Sequence, residues 1–492
     1  MENYRKLIGS ITIITFSYAA SRVLGFFREI LLANWAGVSE ATDTLDLAFI
    51  IPDFLFYLSA GGYLAITLIP IMSGKEKSEL NNYFISIFYG LSIIFVLFSL
   101  ITYSLRFQFA ELLGVKSLDF FIEVFTPIIF SQVFFFVGAI LMSYQYFHDN
   151  FKYAALAPVV YNSTIILFGW LNSSTPEGTI KGFATGTLVG SIIGHFLIQI
   201  YGAKKSGLNF NFTSPRYVDL KEYITISLPL ILGQSIAVVD EQLFRVFGSF
   251  LAAGSVATFR YARRIALLPV GIVAQAVGVA SYPLLSRLFQ KNDIDELLEL
   301  VKKQLSYLFL IGSSLMVVAI INAEYLIEII YERGAFTGDD TIRVSSVFKI
   351  ISLAIVPWSI NQILTRSYYV QQRFWFPVAT GTFITILSSI VLLNAAKDAE
   401  SYAWIIIISL YVYCLTLLSS LKFSSESVLN KKLFFEFFKI LLMVLIVYFV
   451  CEIIISLNGL LNLIISLGLT IVVIFVSLSL LNFEYINITK RR

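Results

Sequence analysis

Long apolar runs limit what this chain can fold into more than any other feature of its sequence. Stretches of about 20 apolar residues recur from end to end, and a helix of that length crosses a hydrocarbon core of about 30 Å. Hydrophobic residues make up 58% of the 492 positions and charged residues 14%, against about 25% charged residues in soluble domains. Because a backbone inside lipid must satisfy its own hydrogen bonds, this composition predicts an all-α polytopic membrane protein.

Clusters of charged residues, Gly, Pro and Asn divide the chain into fourteen predicted membrane spans. Their approximate bounds are 8–36, 41–73, 81–104, 117–146, 150–172, 178–203, 218–250, 254–288, 298–332, 339–371, 374–396, 399–423, 432–457 and 459–482. The first span has no clear cleavage site, so we expect a retained helix and not a signal peptide. Twenty Lys and Arg residues flank one side of these spans and six the other. This excess predicts that both termini are cytoplasmic.

The charge distribution and the motifs of the sequence exclude several functional classes. The net charge is only +3, without a basic stripe, so nucleic acid is not an expected partner. The sequence has no P-loop and no H-E-x-x-H motif, and it contains two histidines, so we predict neither an enzyme nor an ATP-driven pump. Cys414 and Cys451 lie in apolar segments, where we expect buried thiols and no metal site.

An internal repeat relates "FREILLANWAGVSEATDTLDLAFIIP" to "FRVFGSFLAAGSVATFRYARRIALLP". Three positions match at a constant offset of 217 residues (245 minus 28): Arg28 with Arg245, Gly37 with Gly254, and Pro52 with Pro269. The offset spans six predicted helices, so both copies enter the membrane in the same direction. We therefore predict two pseudo-symmetric six-helix lobes, residues 1–205 and 206–424, with two additional helices in 425–492. Transporters with this plan bind substrate between the halves and work by alternating access.

Charged residues in the repeat indicate what the cavity binds. Arg28 and Arg245 each precede their glycine turn by nine residues, or about 13 Å of helix, which places them deep in the bilayer. A charge facing lipid at that depth is costly, so such residues face a partner or a water-filled cavity. Guanidinium groups form bidentate, charge-assisted bonds to phosphate. We therefore predict an anionic cargo with these binding residues: Arg22, Arg28, Asp43, Arg245, Arg260, Arg263 and Arg264.

Other interpretations of these charges stay open. Asp43 aligns with Arg260 and lies near a helix end, where it could simply reach interfacial water. Asp240 and Glu241 are adjacent carboxylates about one turn before Arg245. They either pair with Arg245 or Arg264, or they bind Na⁺ or carry H⁺.

Prolines and glycines inside the spans are candidate hinges. Proline removes a helical hydrogen bond and can kink a helix, although such kinks also serve packing. The candidate hinge residues are Pro52, Gly61, Gly62 and Pro269.

The sequence resembles the MurJ/MviN family, the lipid II flippases of the multidrug/oligosaccharidyl-lipid/polysaccharide exporter superfamily. The resemblance rests on "SRVLGFFREILLANWAG", on the A-T-D that follows, and on "FGSFLAAGSVATFRYARRIALLP". It implies fourteen helices, two lobes and a cationic central cavity that carries an undecaprenyl-pyrophosphate-linked saccharide across the bacterial inner membrane. It also implies that Arg22, Arg28 and Arg264 hold the pyrophosphate and that Asp43 orients them. Some members bind sodium through an acid on the seventh helix, for which Asp240 or Glu241 is the candidate here.

The chain departs from the family pattern in the second span. Typical members read P-N-L-L-R-R-x-x-A-E-G there, and this chain reads "PDFLFYLSAGG", with Phe56, Tyr57 and Gly61 replacing two arginines and an acid. Lipid II is the expected cargo, and an O-antigen or capsule precursor is the alternative. An ion-coupled drug antiporter and a non-transporting scaffold for glycan synthesis are further alternatives.

Beyond the cargo, the expected partners are membrane lipids and cell-wall or polysaccharide synthesis proteins, and we expect a monomer. We expect no bound cofactor; the driving force would be Na⁺, H⁺ or the membrane potential.

Overall fold

Helices account for nearly all the regular structure in a computed structural model, which describes residues 20–59, 63–454 and 460–480. The exceptions within these residues are the two-residue strands β1 (Lys422–Phe423) and β2 (Glu426–Ser427), which form an antiparallel hairpin. The predicted all-α class is therefore confirmed.

The helices pack into two compact units. Unit 1 contains the described residues up to Ala257 together with Arg333–Thr337, and unit 2 contains Thr258–Glu332 and the described residues from Gly338 onward. The internal repeat predicts different boundaries for a duplicated chain: two lobes, 1–205 and 206–424, followed by 425–492. These boundaries stay a prediction.

Unit 1 holds the first ten helices and the beginning of the eleventh. These are α1 (20–36), α2 (Glu40–Ser59), α3 (Tyr63–Ser73), α4 (Lys77–Ser104), α5 (Arg106–Leu112), α6 (Leu118–Phe147), α7 (Lys152–Leu171), α8 (Pro176–Gly190), α9 (Ile198–Lys205), α10 (Tyr217–Gly248) and the start of α11 (Ser255–Pro269). A π-helical segment, Ser191–Leu197, joins α8 to α9.

Unit 2 holds the rest of α11 and the later helices. These are α12 (Gln275–Gln290), α13 (Ile294–Ile321), α14 (Ala323–Tyr331), α15 (Gly338–Ser352), α16 (Ile355–Val370), α17 (Trp375–Ala395), α18 (Ala399–Ser420), α19 (Lys431–Ile454) and α20 (Leu460–Leu480). A second π-helical segment, Val270–Ala274, directly follows Pro269 and leads into α12.

Ten helical stretches of the described chain are long and apolar enough to cross a membrane. They are Ser78–Ser104, Leu118–Phe147, Lys152–Leu171, Pro176–Lys205, Ser255–Gln290, Ile294–Ile321, Gly338–Val370, Trp375–Ala395, Ala399–Ser420 and Lys431–Val450. Helix α2 is not among these stretches because it carries four carboxylates in its 20 residues. The chain is thus a multi-pass membrane protein, and the number of fourteen spans stays a prediction.

A row of glycines holds α7 and α8 at close range in unit 1. Every fourth residue from 182 to 194 is a glycine, and a Cβ at each would meet the α7 helix opposite. At Gly186 it would lie 2.7 Å from the Ile165 Cα atom, and at Gly194 it would lie 2.9 Å from the Ala157 carbonyl oxygen. Small residues at this spacing let membrane helices pack backbone to backbone, which compensates for the weak hydrophobic driving force inside lipid.

The two glycine turns of the repeat have the same backbone geometry. Gly37 follows α1 with φ of +59°, and Gly254 precedes α11 with φ of +79°. Both values lie in the left-handed region that side chains rarely adopt, which explains why glycine occupies the matched positions. The Thr42 hydroxyl closes the first turn by donating to the Gly37 carbonyl oxygen at 3.0 Å.

In unit 2, α13 packs against the last two helices. Leu310 and Val317 of α13 form one apolar cluster with residues of α19. The Asn322 amide, just beyond α13, donates to the Ser466 hydroxyl of α20 at 2.8 Å. Buried phenols add directional bonds, since the Tyr368 hydroxyl donates to the Leu417 carbonyl oxygen at 2.8 Å. The apolar cluster and the Asn322 bond attach α19 and α20 to α13, and the Tyr368 bond joins α16 to α18.

Candidate functional site

Arg28 lies in the interior of unit 1, where two side chains hold its guanidinium. Nη1 donates to the Asn162 Oδ1 of α7 at 3.1 Å, and Nη2 donates to the Glu29 Oε1 at 3.2 Å. The Arg28 side chain is 25% exposed and that of Glu29 is 8% exposed. Asn162 is itself fixed, because its Nδ2 donates to the Pro158 carbonyl oxygen. Arg28 therefore meets polar groups within the protein, as expected for a cation in an apolar segment. Arg22, on the same helix, is exposed.

Asp43 is buried and binds the backbone of the second repeat copy. Its Oδ2 accepts from the Gly254 amide at 2.6 Å, and its Oδ1 accepts from the Ala257 amide at 2.7 Å. A carboxylate at this place satisfies amides at the start of α11 and complements the positive end of the helix dipole. The carboxylate thus lies at the repeat's second glycine turn. Its predicted role towards the arginines stays a prediction.

Arg245 pairs with a carboxylate that the sequence analysis had not assigned. Its Nη1 donates to the Asp53 Oδ2 at 2.7 Å, and the two side chains are 13% and 29% exposed. The contact joins α10 to α2 within unit 1. Asp53 directly follows Pro52, a buried residue inside α2.

The arginines of α11 belong to unit 2. The Arg260 guanidinium lies 4.8 Å from the centre of the Tyr261 ring, and that of Arg263 lies 5.7 Å from the Trp358 ring. Both side chains are partly buried, whereas Arg264 is exposed. Aromatic faces attract guanidinium cations, so Tyr261 and Trp358 help to position the two charges.

Three sets of predicted residues remain untested. Asp240 and Glu241 belong to α10, and their side chains lie outside what the structure describes. Gly61 and Gly62 lie outside the described residues altogether. Pro52 and Pro269 are described inside or at the end of helices, and their action as hinges stays a prediction. Within the part of the chain that is described, no group of three or more His, Cys, Asp or Glu residues is placed to hold a metal ion.

Sequence reasoning missed Glu29, Asp53 and Asn162 as partners of the buried arginines. The two acids could have been recognised as candidate partners from the sequence. A carboxylate in an apolar span needs a cation nearby, just as an arginine there needs an anion. The identity of each partner could not be read from the sequence, since Asp53 and Arg245 lie 192 residues apart.

Known relatives resemble the chain over most of its length. Residues 32–480 match the family model described as "Lipid II flippase MurJ". A "Probable lipid II flippase MurJ" from Buchnera aphidicola subsp. Baizongia pistaciae is 25% identical over 426 residues, covering 83% of this chain and 81% of the relative. A protein of the same description from Helicobacter pylori is 26% identical over 369 residues, covering 69% and 78%.

Solved structures share the fold. "Lipid II flippase MurJ, inward closed conformation" superposes with a TM-score of 0.79 at 23% identity, covering 95% of this chain and 98% of that one. An inward-facing multidrug resistance MATE family transporter of the MOP superfamily gives a TM-score of 0.66 at 15% identity, covering 80% and 92%. Because the family model extends over nearly the whole sequence, from residue 32 to residue 480, this chain belongs to the MurJ family.

Proposed function

We propose that this chain is a flippase that moves lipid II across the bacterial cytoplasmic membrane by alternating access. The observation that carries this proposal is the match of residues 32–480 to the lipid II flippase family model. The partly buried guanidinium of Arg28 supports it, because a cation held by polar partners inside an apolar unit is suited to an anionic cargo. The protein would then act by transport and not by chemical conversion.

Arg28 is the proposed centre of pyrophosphate recognition in unit 1. Asn162 and Glu29 each accept one hydrogen bond from it, which fixes the plane of the guanidinium. A held guanidinium loses little conformational freedom when it binds a phosphate oxygen, and the bond is charge-assisted. Glu29 also offsets the positive charge while no cargo is bound. Arg22 and Arg264 are exposed and are proposed to add further contacts to the pyrophosphate.

The proposal also covers the driving force, the side of the membrane on which the termini lie, and the protein partners. Asp240 and Glu241 are the candidate residues for coupling to Na⁺ or H⁺, with the membrane potential as the alternative driving force. Both termini would lie in the cytoplasm, as the distribution of Lys and Arg indicates. Contacts with cell-wall synthesis proteins are expected, because such enzymes would supply and consume the cargo.

Export of another undecaprenyl-linked saccharide is the second candidate function. Phe56, Tyr57 and Gly61 replace two arginines and an acid of the family pattern. Aromatic side chains stack on sugar rings, whereas arginines bind anions, so this replacement favours a different headgroup. An O-antigen or capsule precursor carries the same pyrophosphate with other sugars.

Complementation in two strains tests the proposal. One strain is depleted of its own lipid II flippase, and the other lacks an O-antigen flippase. Rescue of the first strain supports lipid II as the cargo, and rescue of only the second replaces it with the other glycan. Arg28→Ala should abolish rescue, whereas Lys181→Ala should not, because Lys181 forms an exposed pair with Glu123. Full rescue by Arg28→Ala would disprove the role of Arg28.

A further inference from the structure

Arg366 differs from Arg28 and Arg245 because its hydrogen-bond partners are uncharged. It lies in α16, inside the membrane stretch Gly338–Val370, and its side chain is partly buried. Nη1 donates to the carbonyl oxygen of Gln362 at 2.6 Å and to its Oε1 at 2.8 Å. Arg28 and Arg245 each have a carboxylate partner, whereas Arg366 has none among the residues described. Its positive charge is therefore not neutralised within the described chain.

A glycine of the neighbouring helix makes room for this guanidinium. A Cβ at Gly278 of α12 would lie 2.8 Å from Nη1 and 2.9 Å from Cζ of Arg366. The charged group thus rests directly against the α12 backbone. Gln362 accepts its hydrogen bonds and the Gly278 backbone lies against it, so its position is restricted before any ligand binds. Such preorganisation lowers the entropic cost of binding.

The remaining donors of Arg366 are available to a ligand. Nε and Nη2 make no hydrogen bond within the described residues, and neither is enclosed. The phenol groups of Tyr282 on α12 and Tyr369 on α16 lie within electrostatic range of the guanidinium. Tyr282 is 39% exposed, so this cluster opens to the exterior of unit 2. A fixed cation with neutral hydroxyl donors and no acid is suited to an anion with several oxygens.

The position of Arg366 along its helix limits the kind of anion. Helix α16 ends at Val370, four residues later, or about 6 Å along the helix axis. Arg366 therefore lies close to one membrane surface, at the level where lipid phosphate groups are found. By the distribution of Lys and Arg, that surface is the cytoplasmic one.

We propose that Arg366, Tyr282 and Tyr369 form a binding site for the phosphate or pyrophosphate group of a lipid with net negative charge. An anionic phospholipid and an undecaprenyl-pyrophosphate lipid both present this group. In the second case the site would receive the cargo at the cytoplasmic surface, an assignment that rests on the proposed function. The site itself is independent of that function and can be measured by binding alone.

Lipid binding to the purified full-length chain tests the site. Native mass spectrometry would follow retention of phosphatidylglycerol, undecaprenyl pyrophosphate and phosphatidylcholine. Arg366→Gln removes the charge, and Gly278→Ala keeps the charge but displaces the guanidinium with a methyl group. Both should weaken binding of at least one phosphate probe by about tenfold, the loss expected for a charge-assisted hydrogen bond. Phosphatidylcholine, which is zwitterionic, should be unaffected.

Arg373→Gln is the matched control, because Arg373 is an exposed arginine just beyond the same helix. It should change binding by less than about twofold, as expected for an exposed charge. Loss for phosphatidylglycerol alone identifies a membrane phospholipid as the ligand, and loss for undecaprenyl pyrophosphate identifies the cargo. Wild-type binding by Arg366→Gln, or an equal loss in Arg373→Gln or for phosphatidylcholine, would overturn the site. If the wild-type chain fails to complement but its binding depends on Arg366, the proposed function fails and the site stands.

Discussion

The Arg245 guanidinium donates a 2.7 Å hydrogen bond to the Asp53 carboxylate, and this contact ties α10 to α2 within unit 1. The family pattern quoted above has an acid at the position of Gly61, eight residues after Asp53 in this chain. In this chain an acid thus lies eight residues earlier in the sequence than in the family pattern. At that position it has a defined cationic partner.

The Asp53–Arg245 pair should contribute more to stability than the Lys75–Glu222 pair, which also involves α10 of unit 1. Lys75, just beyond α3, pairs with Glu222 of α10 at 2.9 Å, with side chains 26% and 37% exposed. Asp53→Asn leaves a largely buried arginine without this carboxylate and should cost about 2 kcal/mol or more. Glu222→Gln should cost less than about 1 kcal/mol because water screens that pair. Thermal unfolding in detergent measures both, and equal losses would contradict the assignment.

Asp43 should stabilise the start of α11 through its two backbone hydrogen bonds. Asp43→Ala removes both acceptors from the Gly254 and Ala257 amides and should cost about 2 kcal/mol. Asp43→Asn keeps an acceptor oxygen and should lose less. Hydrogen exchange in peptides covering 252–260 provides the local readout. Unchanged exchange in Asp43→Ala would show that the cap contributes nothing.

Gly37 should not tolerate a side chain. Its φ of +59° is unfavourable for alanine, and a Cβ there would overlap the Ala335 carbonyl oxygen. Gly37→Ala should therefore destabilise the chain by about 2 kcal/mol or more. Gly468→Ala is the control, because α20 leaves that position open and alanine is the better helix former. Comparable melting temperatures for the two variants would refute the steric argument.

Asp398 should make the start of α18 sensitive to acid. Its carboxylate accepts from the Ser401 amide at 2.8 Å, and its own amide donates to the Ser401 hydroxyl at 3.1 Å. The Ser401 backbone and side-chain hydrogen bonds lower the pKa of Asp398 below its usual value. A lowered pKa means that the cap stabilises the helix above the unfolded pKa and is lost as the pH falls through the folded one.

Comparing amide hydrogen exchange in the wild type and in Asp398→Ala at several pH values tests this prediction. Near neutral pH, the variant should exchange amide hydrogens faster than the wild type at 399–402. The difference should shrink as the pH falls below about 4, and the two should converge only below the lowered pKa of folded Asp398. A difference that persists in acid would exclude the carboxylate as its cause.

Sequence periodicity and composition predicted the helical membrane fold because both depend on local properties. The glycine turns at Gly37 and Gly254 were also predictable, since a matched glycine in each copy indicates a backbone position that needs positive φ. Counting residues back from its turn predicted that Arg28 lies deep in the bilayer, and that depth stays a prediction. In each case a few neighbouring residues carry the signal.

The partners of the charged residues could not be predicted, because they depend on how distant helices pack. Asp43 accepts from an amide 211 residues away, and Arg28 donates to Asn162, which is 134 residues away. The internal repeat aligns Asp43 with Arg260, but nothing in the repeat places the Asp43 carboxylate at the first turn of α11. Such contacts are fixed by side-chain direction and helix rotation, which hydropathy does not contain.

The loop Arg333–Thr337 packs with unit 1, although the chain on both sides of it belongs to unit 2. Its Ala335 amide donates to the Asn34 carbonyl oxygen at 2.8 Å, beside the Gly37 turn. A truncated protein that stops at Ala257 would keep α1–α10 and lose that donor, leaving a helix end incompletely satisfied. Expression of the two halves as separate polypeptides would therefore produce an intact first half only when the second is present to supply the missing loop.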